Sequence, residues 1–188
     1  FETTGLSPDD DRIIEIAAIK FADGSPVDRF VTLINPERKI DPFITDITGI
    51  SDDMIRDKPI ESIIIDEFLE FLTDLPIVAH NISFDKSFLD ALCERYDKPK
   101  NNNPLFDTLQ LSRTFLFFHP VHDLGSISEY FGLSSAGSHR AEKDTENCGI
   151  IFKRLIEEAA SYPLETIAKL LELIRSYNTP NMQLYVNL

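Results

Sequence analysis

The chain has 188 residues, of which 43% are hydrophobic and 27% are charged, and its formal net charge is −14. This length is sufficient for one well-buried domain, and no apolar run approaches the roughly 20 residues that a membrane-spanning helix needs, so no membrane partner is expected. The excess of 32 acidic over 18 basic residues argues against a protein that grips long duplexes, because such binding requires many lysine and arginine contacts to phosphate.

The predicted elements begin with two strands joined by a turn. Residues 12–21 are rich in isoleucine and predict a mostly buried strand, and residues 29–34 alternate as a second, antiparallel strand. Between them, Asp23-Gly24-Ser25-Pro26 is a turn signal. Residues 40–59 contain short helical or irregular pieces, and residues 61–72 have the spacing of a helix.

The rest of the chain alternates strands with helices. Residues 75–79 predict a short buried strand, followed by a helix that begins near Ser83 and ends near Tyr96. Residues 107–115 follow a polar loop, and later helices are predicted at residues 124–131, 141–160 and 164–177. This order predicts an α/β fold in which helices cover a mixed sheet.

Three separate stretches carry residues that suit a functional site. They are Phe1-Glu2-Thr3-Thr4-Gly5-Leu6, His80-Asn81-Ile82-Ser83-Phe84-Asp85 and His139-Arg140-Ala141-Glu142-Lys143-Asp144. Each stretch puts a carboxylate at the end of a predicted strand or on the inward face of a predicted helix, where open α/β sheets commonly form sites.

Taken singly, these residues also have ordinary explanations. Asp85 falls in the first turn of a predicted helix, where the helix dipole stabilises any carboxylate, and His139 fits a surface loop equally well. Residues five apart on one helix are separated by about 140°. His139 and Asp144 can therefore serve one site only if His139 lies on the loop before the helix. A histidine there, with an unperturbed pKa near ~6.5, can take a proton from water at neutral pH.

Together, the three stretches resemble the motifs of the DEDDh (DnaQ-like) 3′–5′ exonuclease family of the RNase H-like superfamily. The family's motifs read Asp-x-Glu-Thr-x-Gly, His-Asn-x-x-Phe-Asp and His-x-Ala-x-x-Asp, and they match this chain in order and approximate spacing over residues 1–155. The resemblance implies an RNase H-like mixed five-stranded sheet flanked by helices. It also implies an exonuclease domain over residues 1–160, followed by a C-terminal helix and tail over residues 161–188.

The resemblance implies catalytic roles for four residues. Glu2, Asp85 and Asp144 match the family's metal-binding carboxylates, and His139 matches its general base, which puts the chain in the subgroup with histidine in the third motif. The expected cofactors are two Mg²⁺ or Mn²⁺ ions, since hard oxygen ligands suit these cations and the sequence has no Cys/His cluster that would favour structural zinc. Two such ions suit phosphodiester hydrolysis.

Substrate contacts are also implied by position. Thr4 and Leu6 match residues that contact the terminal nucleotide, and His80 and Asn81 lie where the family handles the substrate backbone. Asp107 falls outside the three motifs, and we expect it to have a supporting role. The expected substrate is single-stranded DNA or a frayed 3′ end, in proofreading or repair.

Two alternatives remain open. The chain could be an exoribonuclease that trims short RNA. No residue recognisably contacts a 2′-hydroxyl group, so the sequence does not distinguish an RNA substrate from a DNA substrate. The family pattern expects an aspartate immediately before Phe1, with most of the first strand, and we expect these residues to lie upstream in a longer natural protein. If that aspartate is truly absent, the chain could instead be a non-catalytic nucleic-acid-binding module.

The ends of the chain and its cysteines complete the prediction. Two cysteines in helical segments and no visible signal peptide favour a cytoplasmic protein without disulfides. The last predicted helix has an apolar stripe that either packs on its own domain or joins a further one, such as a fused polymerase or helicase. The stripe consists of Leu164, Ile167, Leu171 and Ile174.

Overall fold

The computed structural model describes residues 1–134 and 140–175. Within these ranges the strands are β1 (Glu2–Thr3), β2 (Ile13–Ala22), β3 (Ser25–Leu33), β4 (Ile77–Ala79) and β5 (Leu105–Asp107). The helices are α1 (Pro42–Thr48), α2 (Asp52–Ile55), α3 (Glu61–Leu72), α4 (Ile82–Arg95), α5 (Thr108–Phe115), α6 (Leu124–Tyr130), α7 (Ala141–Ala160) and α8 (Leu164–Arg175). None of these described helices is both long and apolar enough to cross a membrane.

The first of two compact units comprises Phe1–Asp74, Ser83–Asn102 and α7 up to Glu146. Its sheet has the order β1-β2-β3, and both neighbouring pairs are antiparallel. The second strand of the hairpin begins at Ser25, earlier than predicted, because Asp23 and Gly24 both adopt positive φ angles and close a two-residue turn.

The core of the first unit holds β2 in place and thereby positions the short strand β1 beside it. Ile14 of β2 is fully buried and packs with apolar side chains from α1, α2 and the loops around them. On the other side, Phe68 of α3 packs edge-on against Phe1, with ring centroids 5.8 Å apart, and contacts Phe30 of β3 at 5.4 Å. The first residue of the chain is therefore anchored in this core.

The second unit comprises Leu75–Ile82, the described chain from Asn103 to residue 134, and α7 and α8 from Asn147 onward. Strands β4 and β5 form a parallel pair. The sequence did not predict β5, because a three-residue strand is too short to show a periodicity. The described residues thus contain the expected five strands, hydrogen-bonded as one three-stranded antiparallel and one two-stranded parallel sheet.

Helices α5, α6, α7 and α8 enclose the core of the second unit. Ile167 of α8 is buried in this core and Leu170 packs against it, so the first half of α8 packs onto this unit. The buried members of the cluster are Leu111, Phe115, Leu116, Ile127, Ile151, Leu155, Ala159 and Ile167. The side chains of Leu171 and Ile174, and the predicted helical residues 176–177, lie outside the described part of the chain.

Candidate active site

Four carboxylates of the first unit gather around the beginning of the chain. Glu2 lies in β1 opposite Glu15 of β2, and Asp85 and Asp144 occupy the first turns of α4 and α7. The charges of Asp144, Glu15 and Asp85 all act on the carboxyl group of Glu2, and Asp85 Oδ1 lies 2.9 Å from the amino nitrogen of Phe1. The unit therefore brings together the three carboxylates predicted as metal ligands.

The carboxyl group of Glu2 has a raised pKa. Burial disfavours its charged form, and repulsion from Asp144, Glu15 and Asp85 adds to that effect, so its pKa rises from 4.5 to about 7. The amino group of Phe1 acts in the opposite direction but does not cancel the rise. The cluster thus concentrates more negative charge than its surroundings neutralise.

The amino group of Phe1 supplies part of the compensating charge. Burial disfavours its protonated form, but attraction to Asp85 and the hydrogen bond to that carboxylate outweigh burial, so the pKa of the amino group is raised above its usual 8.0.

The donor chemistry of the cluster fits a divalent cation. Glu2, Asp85 and Asp144 offer only carboxylate oxygens, which are the ligands that Mg²⁺ and Mn²⁺ prefer. Across residues 1–134 and 140–175, no three acidic, histidine or cysteine side chains are already arranged so that they could hold a metal ion. The residues fit a cation by charge and by ligand type, and side-chain movement would be needed to bring them to ligand distance.

Glu15 is an important residue that the sequence reasoning did not single out. It is 1% exposed, and its carboxylate accepts hydrogen bonds from Arg140 Nη2 at 2.8 Å and from the backbone nitrogen of Ala141 at 2.9 Å. These contacts fix the first residue of α7, the helix that carries Asp144. The available signal was a glutamate within an otherwise apolar, buried strand, where an acid requires a partner.

The predicted base, His139, lies in residues 135–139, outside the described part of the chain. Its neighbour Arg140 is described and is held by the buried carboxylate of Glu15. The role of His139 therefore stays a prediction.

Thr4 and Leu6, the predicted contacts to the terminal nucleotide, lie directly after β1. The hydroxyl of Thr4 donates to Asp11 Oδ1 at 3.0 Å and accepts from the backbone nitrogen of Arg12 at 3.0 Å. Leu6 is 84% exposed, so its side chain projects from this segment into solvent. Both substrate contacts remain predictions.

His80 and Asn81, the predicted contacts to the substrate backbone, belong to the second unit. The His80 ring lies within hydrogen-bond distance of Thr108 Oγ1 (3.0 Å) and of the His122 carbonyl oxygen (2.8 Å), and burial lowers its pKa. Asn81 has a positive φ, and its backbone nitrogen donates to Asp107 Oδ1 at 3.0 Å. Asp107 also caps α5, so it has a structural role. The substrate contacts of His80 and Asn81 stay predictions.

Comparison with known proteins identifies the family. The family model RNase_T, described as Exonuclease, matches residues 1–152. The chain belongs to this exonuclease family. The predicted DnaQ-like family and the predicted enzyme class, an exonuclease, are thereby confirmed.

The chain has curated relatives that are much longer than itself. It is 40% identical over 157 residues to the PolC-type DNA polymerase III of Staphylococcus haemolyticus (strain JCSC1435), covering 84% of this chain and 11% of that protein. Over 159 residues it is 40% identical to the PolC-type DNA polymerase III of Latilactobacillus sakei, covering 85% of this chain and 11% of that protein. The chain thus spans 11% of the length of these relatives.

Solved structures share the fold of the chain. Exonuclease X in complex with 5′-overhanging duplex DNA superimposes with a TM-score of 0.64 at 24% identity, covering 86% of this chain and 90% of that chain. E. coli exonuclease I in complex with a dT13 oligonucleotide gives a TM-score of 0.74 at 18% identity. The match covers 90% of this chain and 41% of that chain. These likenesses confirm the predicted RNase H-like α/β fold.

Proposed function

We propose that the chain is the 3′–5′ exonuclease portion of a replicative DNA polymerase and removes nucleotides one at a time from the 3′ end of single-stranded DNA. The observation that carries this proposal is the gathering of Glu2, Asp85 and Asp144 in one unit. The relatives at 38–40% identity, which are PolC-type DNA polymerases III, support replication as the context. The complexes of E. coli exonuclease I with dA16 and dT13 support a single-stranded substrate.

Metal ions are part of this proposal. Glu2, Asp85 and Asp144, with the aspartate that the family pattern expects before Phe1, would hold two Mg²⁺ or Mn²⁺ ions. When bound, such ions neutralise the charge that develops on the phosphoryl and leaving oxygens. The zinc-bound complex of E. coli exonuclease I with single-stranded DNA supports cation binding by this fold. The crowding of carboxylates around Glu2 supports it independently, since a cation would relieve their repulsion.

The chain's own residues would orient the strand and move the proton. Thr4 and Leu6 hold the terminal nucleotide, and His80 and Asn81 contact the backbone. His139 takes a proton from the attacking water, whose oxygen bonds to phosphorus while the bond from phosphorus to the 3′-oxygen of the preceding nucleotide breaks. That oxygen leaves as a hydroxyl after protonation, and the product is a nucleoside 5′-monophosphate. Attack on the backbone ignores the base, so low sequence specificity is expected.

The overall charge favours a short contact with the substrate. With a net charge of −14, the chain cannot attract a long polyanion through its surface, because phosphate contacts would require many lysine and arginine side chains. A strand end held at a cation site avoids this difficulty, since bound cations reverse the local sign of the charge. The proposal therefore predicts few nucleotide contacts beyond the terminal ones.

Incubation of a 5′-labelled DNA strand with the chain and Mg²⁺ tests the proposal. A ladder shortened in steps of one nucleotide, absent with EDTA and absent in Asp144→Ala, is the expected result. An RNA strand of the same sequence runs in parallel, and faster shortening of the RNA would contradict the DNA preference. Binding without cleavage, also in a chain extended by an aspartate before Phe1, would overturn the exonuclease proposal in favour of a non-catalytic module.

A further inference from the structure

The segment that follows Thr4 is folded around the carboxylate of Asp11. This Leu6 segment, residues 5–12, carries the exposed Leu6 at its outer side. Asp11 Oδ1 accepts the hydroxyl of Thr4 at 3.0 Å. A Cβ atom on Gly5 would lie only 2.4 Å from Asp11 Oδ2, so the carboxylate packs where a side chain at position 5 would otherwise stand. The position of Leu6 relative to Thr4 thus depends on how Asp11 is held.

The guanidinium group of Arg95 binds the backbone of the Leu6 segment. Its Nη1 donates to Glu61 Oε2 at 2.6 Å, and its Nη2 donates to the carbonyl oxygens of Pro8 at 3.0 Å and Asp11 at 3.4 Å. Glu61 is 3% exposed, and its other oxygen accepts from the backbone nitrogen of Ile13 at 3.0 Å. One guanidinium group therefore ties two carbonyls of the segment to a buried carboxylate that also anchors the start of β2.

Arg95 belongs to the same helix as the predicted metal ligand Asp85. It is the last residue of α4, and Asp85 lies in the first turn of the same helix. A helix is a rigid connector, with a rise of about 1.5 Å per residue. Through Arg95, two backbone carbonyls of the Leu6 segment are therefore linked to the helix that carries Asp85.

We propose that Arg95 is a positioning residue that holds the Leu6 segment through Glu61, Pro8 and Asp11, and so sets the site that receives the 3′-terminal nucleotide. This inference rests on the proposed function, in which Thr4 and Leu6 contact that nucleotide. The ordinary alternative is that Arg95, a cation in the last turn of α4, only stabilises the helix. The two readings differ in whether loss of Arg95 changes substrate affinity or only thermal stability.

Steady-state kinetics of Arg95→Ala and Arg95→Lys separate these readings. The substrates are a DNA oligonucleotide and the p-nitrophenyl ester of thymidine 5′-monophosphate, which presents a single nucleotide. Arg95→Ala is expected to raise KM for both about tenfold with kcat changed less than about threefold, as for a lost binding contact. Arg95→Lys is expected to recover part of the affinity, because an ammonium group can reach Glu61 but cannot also bridge both carbonyls.

Arg56→Ala is the matched control. Arg56 lies in the same unit and forms an ion pair with Asp53, in which both side chains are exposed. Its KM and kcat are expected to equal those of the unmodified chain. A wild-type KM in Arg95→Ala, or an equal rise of KM in Arg56→Ala, would overturn the proposal.

A second measurement does not depend on activity. The chain has no tryptophan, so Leu6→Trp adds a unique fluorescent reporter to the Leu6 segment. In this background, Arg95→Ala is expected to lower the fluorescence anisotropy of the indole, and Gly5→Ala is expected to do the same by displacing Asp11. Unchanged anisotropy in both would overturn the proposal, even if KM had risen.

Failure of the proposed function and failure of the Arg95 proposal give different experimental results. If neither the unmodified chain nor the chain extended by an aspartate before Phe1 hydrolyses either substrate, the proposed function fails, while the anisotropy still decides whether Arg95 positions the segment. If Arg95→Ala does not fold, Arg95→Lys and Gly5→Ala decide the matter, since each perturbs the segment and leaves part of the Arg95 contacts in place.

Discussion

The amino nitrogen of Phe1 lies 2.9 Å from Asp85 Oδ1, so the first residue of the chain forms a partly buried ion pair with a predicted metal ligand. Any residue added before Phe1 would turn this ammonium group into a neutral amide. The cluster around Glu2 would then lose a positive charge that lowers the pKa of Glu2, and its attraction for a cation would increase.

Extension of the chain tests this electrostatic relationship. We expect Mn²⁺ affinity to increase from the unextended chain to one extended by asparagine, and further in one extended by aspartate. Each step should be about tenfold or more, because one unit charge a few ångström from a dication is worth over ~1.4 kcal/mol at an effective dielectric of ~20. Isothermal titration calorimetry measures the three affinities, and equal values for the asparagine and aspartate extensions would contradict a carboxylate ligand at that position.

Asp144→Asn should separate catalysis from folding. It removes a negative charge that acts on Glu2, so we expect the metal-free protein to unfold at an equal or higher urea concentration. Hydrolysis should fall about 100-fold or more, since the ions supply several kcal/mol and each ~1.4 kcal/mol is tenfold in rate. Urea unfolding in EDTA and strand-shortening rates in Mg²⁺ check the two halves. Near-normal turnover would mean that Asp144 is not part of the site.

Substitution of Arg140 should lower the free energy of unfolding more than substitution of Glu15. Glu15 is buried whereas Arg140 is 47% exposed, so Arg140→Ala leaves the buried charge of Glu15 with the hydrogen bond from the nitrogen of Ala141 and should destabilise by roughly 1.5–3 kcal/mol. Glu15→Gln should cost less, about 1–2 kcal/mol, because its amide oxygen can still accept from the nitrogen of Ala141 and Arg140 can be solvated. Urea unfolding of both variants gives the order, and a larger loss in Glu15→Gln would contradict this account.

Glu2 should make the metal-free protein less stable as the pH rises. Its pKa is raised in the folded state, from 4.5 to about 7, so the folded chain holds the proton more tightly than the unfolded chain. The contribution to stability is complete below pH 4.5 and is lost as the pH rises through about 7. The difference in unfolding free energy between the unmodified chain and Glu2→Gln, measured in EDTA at several pH values, should follow this curve. A flat difference would contradict it.

His80 should make the protein less stable as the pH falls. Burial lowers its pKa from 6.5 in the folded state, so the unfolded chain takes up a proton that the folded chain resists. The contribution of neutral His80 is present above pH 6.5 and is lost as the pH falls below that value. Unfolding of His80→Gln beside the unmodified chain at pH 5 and pH 8 checks the sign. Greater acid sensitivity in His80→Gln would mean that the buried ring is protonated.

The local signals of the sequence were sufficient for much of the fold. The turn after β2 and the apolar spacing of α3 and α7 depend on neighbours within a few residues. Both helices have the bounds that were expected, whereas the turn is limited to Asp23-Gly24 and is shorter than the predicted four residues. The three-residue strand β5 was not predicted, because so short an element is defined by its pairing with β4 and not by its own pattern.

In the candidate site, too, the residues in local motifs were predicted, whereas a contact between residues distant in sequence was not. Glu2, Asp85 and Asp144 were identified from motifs in which each residue has a fixed sequence context. The role of Glu15 could not be identified in that way, because its partner Arg140 lies 125 residues further along the chain. A buried acid in an apolar strand indicates that a partner exists, but only the fold determines which one it is.

The hairpin of β2 and β3 offers a place for a chemical label. Its tip, where Ala22 faces Ser25, lies seven residues along β2 from Glu15, or roughly 23 Å at about 3.3 Å per residue. Cys93 and Cys148 are both buried, so a thiol introduced by Ser25→Cys would react with a maleimide dye well ahead of them. A dye at the tip would allow strand binding and release to be observed on single molecules while the carboxylate cluster remains unmodified.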